Sequence, residues 1–145
     1  MSTKMTVEER EAFLAAARIG VLSIADEGRG PLTAPVWYSY EPGGEVLVLT
    51  GGSSLKGKAL EKVERVSLCV QTEDAPYKYV SIEGPIVARE EPDGEKHLRA
   101  MAHRYLGQKM GDAYVAGNAG GETSTLYRIK PERWLTVDYA KSMSG

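Results

Sequence analysis

The chain has few of the residues that build covalent or metal-held sites. Of its 145 residues one is cysteine and two are histidine. A single cysteine, Cys69, excludes an internal disulfide and every multi-cysteine zinc pattern. Its position between Leu68 and Val70 reads as a buried, inert thiol rather than a nucleophile. His97 and His103 stand six residues apart, off a shared helical face, and no HExxH spacing exists. They read as surface or structural residues, and no metal site is expected. No Ser-His-Asp or Cys-His arrangement can be argued from spacing, so no catalytic residue is assigned. Rossmann and Walker glycine patterns are also missing. No apolar run approaches the roughly 20 residues of a membrane helix. The N-terminus has no signal-peptide core, so a cytoplasmic protein is expected.

Charge of one sign is not in excess either. Eighteen Lys and Arg face twenty Asp and Glu, a net charge of −2. That gives no global basic field for nucleic acid. The lysines gather in one loop rather than along a groove with interleaved aromatics, which argues against an oligonucleotide-binding barrel. With 42% hydrophobic and 26% charged residues, the composition is that of one globular domain over residues 1–145.

What is present is a succession of short strands. Thr6-Val7-Glu8-Glu9 has capping-box spacing, and Phe13, Leu14 and Ala17 share a helical face behind it. Strands are expected over Ile19–Ala25, Pro31–Tyr40 and Glu45–Thr50, running as a meander. A short helix follows over about Leu55–Val63, then strands over Arg65–Thr72 and Tyr77–Glu90. Gly84-Pro85 predicts a bulge or bend in the latter. Leu98, Met101, Ala102, Tyr105 and Leu106 predict an amphipathic helix. The glycine-rich stretch from Gly107 to Glu122 allows a second short helix around Asp112–Ala116. Two late strands, Ser124–Lys130 and Trp134–Asp138, complete the chain. So many antiparallel strands in so few residues predict a mainly β small barrel or sandwich, and helices at the third-to-fourth and fifth-to-sixth connections fit a barrel closed at its ends by peripheral helices. Pro35 cannot donate to a ladder, so its position is an edge, a bulge or a place where something else lies against the strand.

The stretch Thr50-Gly51-Gly52-Ser53-Ser54-Leu55-Lys56-Gly57-Lys58 stands out. It leaves an apolar strand, passes through glycines and hydroxyls, and ends in two lysines at the start of a helix. These are the groups that hold a phosphate: close backbone N–H groups, Ser and Thr hydroxyls, and ammonium charge. The plainer reading is an ordinary strand–loop–helix connection with solvated lysines.

The succession GVLSIADEGRGPLTAPVWYSYEPGGEVLVLTGGSSLKGKALEKVERVSLCVQ, followed by YKYVSIEGPIV, resembles the flavin-binding split-barrel superfamily of pyridoxamine 5′-phosphate oxidase-like proteins. Within it, the chain resembles the flavin/deazaflavin oxidoreductases that use coenzyme F420. The resemblance covers about Thr6 to Asp138, the core of the domain, and implies a six-stranded antiparallel split β-barrel and a homodimer with cofactors in grooves between protomers. It places the cofactor phosphate at Lys56 and Lys58, with Ser53 and Ser54 beside them. Pro35, Val36, Trp37 and Tyr38 would line the ring, and Thr50 and Gly51 would approach the ring or its ribityl chain. Trp37 and Tyr38 point to opposite faces of a strand, so one belongs to the core and the other to the groove. Tyr77, Lys78 and Tyr79 would line the groove, in part from the partner chain. Alternatively, the two tyrosines pack within the barrel and Lys78 is an edge lysine. Trp134 could cover a cofactor across the dimer. The implied activity is hydride transfer from a reduced deazaflavin to an electron-poor small molecule such as a quinone. The alternatives are an FMN-dependent oxidoreductase and a non-catalytic cofactor- or haem-binding relative. The closing VDYAKSMSG has no arginine-rich tail of the kind that holds the substrate phosphate in true pyridoxamine phosphate oxidases, so that substrate is not expected.

Overall fold

The computed structural model describes residues 2–118 and 124–143. Helix α1 (Val7–Ala15) begins at the expected capping box: Thr6 accepts from the Glu9 N–H, and Glu9 reaches back to the Thr6 N–H. It buries Phe13 and Leu14 but ends before Ala17, which is exposed. The remaining elements follow in order. Strands β1 (Gly20–Ile24), β2 (Leu32–Val36), β3 (Ser39–Tyr40) and β4 (Val46–Gly51) precede helix α2 (Leu55–Leu60). Strands β5 (Arg65–Gln71) and β6 (Lys78–Glu90) lead to a π-helical turn (Gly94–Arg99) and helix α3 (Ala100–Gly117). Strands β7 (Ser124–Ile129) and β8 (Arg133–Asp138) precede a last helical turn, α4 (Ala140–Met143).

Eight strand segments are therefore described where six strands were expected, and the pairing explains the difference. The sheet runs β2-β1-β5-β6-β7-β4-β3, with β8 also on β6, and every pair is antiparallel. The β2 and β3 segments are one bent stretch: its first half pairs with β1 and its second half with β4. The β7 and β8 segments likewise follow each other along β6. Counting each bent stretch once leaves six positions around a split barrel. The expected meander is corrected by the same observation. The stretch Pro31–Tyr40 is not one strand; it breaks at Trp37–Tyr38, so β2 and β4 never pair and the chain crosses from one edge of the sheet to the other.

Side-chain parity fills the inside. Leu22, Ile24, Val46, Val48, Leu68, Val70, Val80, Ile82, Tyr127 and Ile129 are all buried, each worth on the order of 1.5–3 kcal/mol. Strand β6 joins both halves of the barrel. At Gly84 an added Cβ would lie 1.7 Å from the Lys130 carbonyl oxygen, so only glycine lets β6 pass the β7–β8 corner. The bulge itself comes three residues later, where Val87 is looped out between Ile86 and Ala88.

Candidate functional site

The anion-cradle stretch is built from its own hydrogen bonds. The Ser54 hydroxyl caps α2 by accepting from the Gly57 N–H (3.0 Å) and donates to the Gly51 carbonyl (2.8 Å). It also touches the Thr50 hydroxyl at 3.2 Å. Gly57 is drawn so close that an added Cβ would meet the Gly51 oxygen at 2.2 Å. Ser54 is therefore a cap rather than a phosphate donor, and Thr50 is buried on the inward face of β4. Gly51 ends β4 half-buried, and Ser53 is exposed. Lys56 and Lys58 do not converge. Residues two apart on a helix lie on opposite sides. Lys56 is half-buried; Lys58 is exposed and lines a groove of about 960 Å³ together with Asp26, Glu27, Arg29 and Lys62. Neither lysine has a carboxylate partner among the described residues. Helix α2 packs against β1, β2 and β4, which sets this cationic element beside the strand that holds Pro35.

Parity also sorts the expected ring wall. Pro35 is exposed on β2, opposite Val21, and β2 is an edge strand, where a missing N–H costs no ladder bond. Val36 and Tyr38 point inward. Val36 is buried, so its side chain cannot line a groove. Tyr38 is wholly buried and its hydroxyl donates to the Leu14 carbonyl (2.7 Å); burial pushes its pKa up to about 12. The alternative left open for this pair is thus decided within the chain: Tyr38 is the core residue and Trp37 faces outward.

Trp37 meets two residues that the sequence analysis did not assign to the site. Its ring stacks on Tyr105 (centroids 5.1 Å apart, planes 8° apart), and Tyr114 approaches it at 5.2 Å. Both tyrosines come from α3, which is two helices meeting at Gly107, where φ is +80°. An Asp112 carboxylate bound by Arg99 and His103 (2.6 Å) clamps the two halves. The second short helix expected around Asp112–Ala116 is the latter half. The Tyr105 hydroxyl accepts from the Tyr38 N–H (3.1 Å), and its own hydrogen is shared between the carbonyls of Arg18 (2.7 Å) and Tyr38 (2.9 Å). A side chain on α3 thus bonds the barrel backbone where the ladder is interrupted. The sequence signal was present: two tyrosines on either side of a helix-breaking glycine.

The remaining expected residues lie elsewhere. Tyr77 is exposed just before β6, and Tyr79 is half-buried on the outer face of that strand. The Lys78 ammonium lies 3.9 Å from the Asp138 carboxylate on the neighbouring strand. Trp134 takes an inward position on β8. The Arg10 guanidinium covers its ring at 4.4 Å and the Tyr40 ring meets it edge-on at 6.1 Å, so it fastens α1 to the barrel instead of reaching outward. Cys69 is half-buried on the outer face of β5 rather than in the core, and burial pushes its thiol pKa up, which keeps it protonated and inert. His97 accepts from the Asp93 N–H, and among the described residues no group of three metal-ligating side chains occurs. No described helix is long and apolar enough to cross a membrane.

A family model described as pyridoxamine 5′-phosphate oxidase matches residues 6–138. Several solved structures share the fold. A conserved hypothetical protein from Mycobacterium tuberculosis is 22% identical with a TM-score of 0.78, over 99% of this chain and 91% of that one. An F420 reductase is 17% identical with a TM-score of 0.70, over 86% of this chain and 94% of that one. An FAD-binding protein from Mesorhizobium loti is 20% identical with a TM-score of 0.60, over 91% and 92%. Identities this low show a common fold and no more. No curated protein matches the chain.

Proposed function

The chain belongs to the pyridoxamine 5′-phosphate oxidase family, and from that premise we propose that it is an oxidoreductase that holds coenzyme F420, or in a second reading FMN, and reduces an electron-poor small molecule. The observation that carries this is Lys56: a half-buried cation without a carboxylate partner among the described residues, on a helix packed against β1, β2 and β4. Lys58 is exposed and points away from Lys56, so the phosphate contact is assigned first to Lys56, the half-buried one of the two.

The residues fit such a cofactor. A bound deazaflavin or flavin supplies the hydride chemistry, which is why the chain needs no nucleophile of its own. Lys56 neutralises a phosphate at the end of β4. Pro35 and Trp37 offer an outward wall, and Trp37 is held in orientation by its stack on Tyr105. The Tyr105–Trp37–Tyr114 cluster sets three rings beside that wall. Proteins of the same fold include an F420 reductase and an FAD-binding protein, so the fold accommodates a deazaflavin in one case and a flavin in another.

The proposal includes a homodimer. Across β2, β1, β5, β6 and β8, the residues Pro35, Val21, Cys69, Ser81 and Leu135 lie in one register row on the outer face. Val21 is 42% exposed and Leu135 59% exposed. An exposed apolar row on a sheet face is what a second copy would cover.

Fluorescence titration with coenzyme F420 and with FMN tests the cofactor. Lys56→Ala is expected to weaken the cofactor that binds by about tenfold or more, the worth of one charge-assisted hydrogen bond, while Lys58→Ala changes little. Unchanged affinity in Lys56→Ala, with the melting temperature retained, would overturn the phosphate assignment. Turnover of reduced cofactor with a quinone then separates a reductase from a storage or haem-binding protein.

A further inference from the structure

Helix α3 is anchored through its first half. Before Gly107, Met101 and Ala102 are buried, and the Arg104 guanidinium donates to the carbonyls of Ala15 (2.9 Å) and Ala16 (3.0 Å). The Tyr105 hydroxyl bonds the barrel backbone from the same half. After Gly107, residues 108–117 bury Gly111 alone. Gly111 is pressed against the first half: an added Cβ would lie 2.6 Å from the His103 ring and 3.0 Å from the Ala102 carbonyl carbon. The joint itself is open. At Gly107 an added Cβ would meet nothing within 4 Å, so glycine is needed there for its backbone angle, φ +80°, and not for space.

Side chains hold the second half down at two places. The Asp112 carboxylate bridges Arg99 and His103, all three partly open to solvent, and ion pairs so placed contribute little net stability. Tyr114 meets Trp37. The two tyrosines approach that indole differently. Tyr105 lies parallel to it within 8°, whereas Tyr114 is tilted by 50° and remains 40% exposed. Met110, one turn before Tyr114 on the same helical face, is 62% exposed. The face that meets Trp37 therefore carries a phenol ring and a thioether, both suited to a flat π-system, and leaves them largely in solvent.

We propose that residues 108–117 are a lid, hinged at Gly107 and latched by Asp112, and that Tyr114 closes on the tricyclic ring of the cofactor where that ring lies against Trp37. This rests on the reading of Trp37 as part of the ring wall. In the free protein Tyr114 holds the ring's place with a tilted contact. Lifting the lid frees Trp37 for the flat ring, and Tyr114 and Met110 then cover the ring's outer face. Segments with few buried contacts open locally, and lids that admit and release ligands are drawn from them. Lys56 sets where the cofactor is tethered; the lid sets how readily its ring departs.

Hydrogen–deuterium exchange on the cofactor-free chain tests the lid by itself. Residues 108–117 are expected to exchange about tenfold or more faster than β5 and β6, and Asp112→Asn to speed them about threefold further while the strands stay unchanged. Exchange of residues 108–117 only together with the strands would overturn the lid. Lumiflavin, the tricyclic ring without ribityl chain or phosphate, tests Tyr114. Its fluorescence is expected to be quenched saturably, and exchange in residues 108–117 to slow when it is bound. Tyr114→Ala is expected to weaken lumiflavin about threefold or more, the worth of one ring contact, Tyr114→Phe to keep the wild-type affinity, and Lys56→Ala to leave it unchanged. No binding of lumiflavin, or binding indifferent to Tyr114→Ala, would overturn the role given to Tyr114. F420 or FMN binding that depends on Lys56 but not on Tyr114 would do the same and leave the phosphate assignment standing. Lumiflavin binding that depends on Tyr114, with Lys56→Ala silent toward F420 and FMN, would support the lid and remove that assignment.

Discussion

The two halves of the barrel wall turn different surfaces outward. In the second half, where β4 and β7 pair, Leu126 of β7 is wholly buried, and so is nearly all of Met101 on α3. Behind the first half, where β1, β5, β6 and β8 pair, the row through Val21 and Leu135 is left exposed. One face is covered by the chain's own helix. On the dimer reading, the other waits for a second copy. An apolar sheet face therefore says that a cover is needed, and only the topology says whether the same chain provides it.

That contrast can be broken first at its hinge. Gly84 is where β6 passes from one half to the other, and Gly84→Ala places a methyl group against the Lys130 carbonyl. A loss of about 3 kcal/mol, the upper end of overpacking costs, is expected from denaturant unfolding. Next, the two faces can be compared directly. Met101→Ala on the covered face is expected to cost about 2–3 kcal/mol and leave the oligomeric state unchanged. Leu135→Glu on the open face is expected to change stability by no more than about 0.5 kcal/mol and to convert the dimer to monomer in sedimentation. A dimer that survives Leu135→Glu would remove the asymmetry and place the interface elsewhere. The smallest effect concerns the helix that provides the cover. Hydrogen bonds from His103 first and Arg99 second hold the Asp112 pKa below its ordinary value. A depressed carboxylate stabilises at pH values above its unfolded pKa, and the contribution is lost as pH falls through the lowered folded value. Asp112→Asn is therefore expected to lower the melting temperature slightly at neutral pH and to match the wild type once the pH is below the carboxylate range.

Local signals in the sequence carried a good part of this. The Thr6–Glu9 capping box, the bend near Gly84-Pro85 and the helix behind Leu98 are each written in a few neighbouring residues. Other features needed partners far along the chain. PLTAPVWYSY reads as one strand because nothing in it says that its two ends pair with different neighbours. Lys56 and Lys58 read as a pair until α2 fixed their directions. Ser54 looked like a phosphate donor, although Ser at the first turn of a helix is as readily a cap. The contact of Tyr114 with Trp37 was not legible, since it joins two elements far apart in the chain.

The hydroxyl of Tyr105 has one more consequence. In most of the barrel a backbone amide is protected by the strand beside it and exchanges its hydrogen only when the sheet opens. The amide of Tyr38 is different, because its acceptor sits on α3. Its exchange with solvent follows the undocking of that helix, a smaller and more frequent opening than the unfolding that frees Leu22 or Leu68. The wall thus has one soft stitch, next to Trp37, where the backbone senses the helix before it senses the sheet.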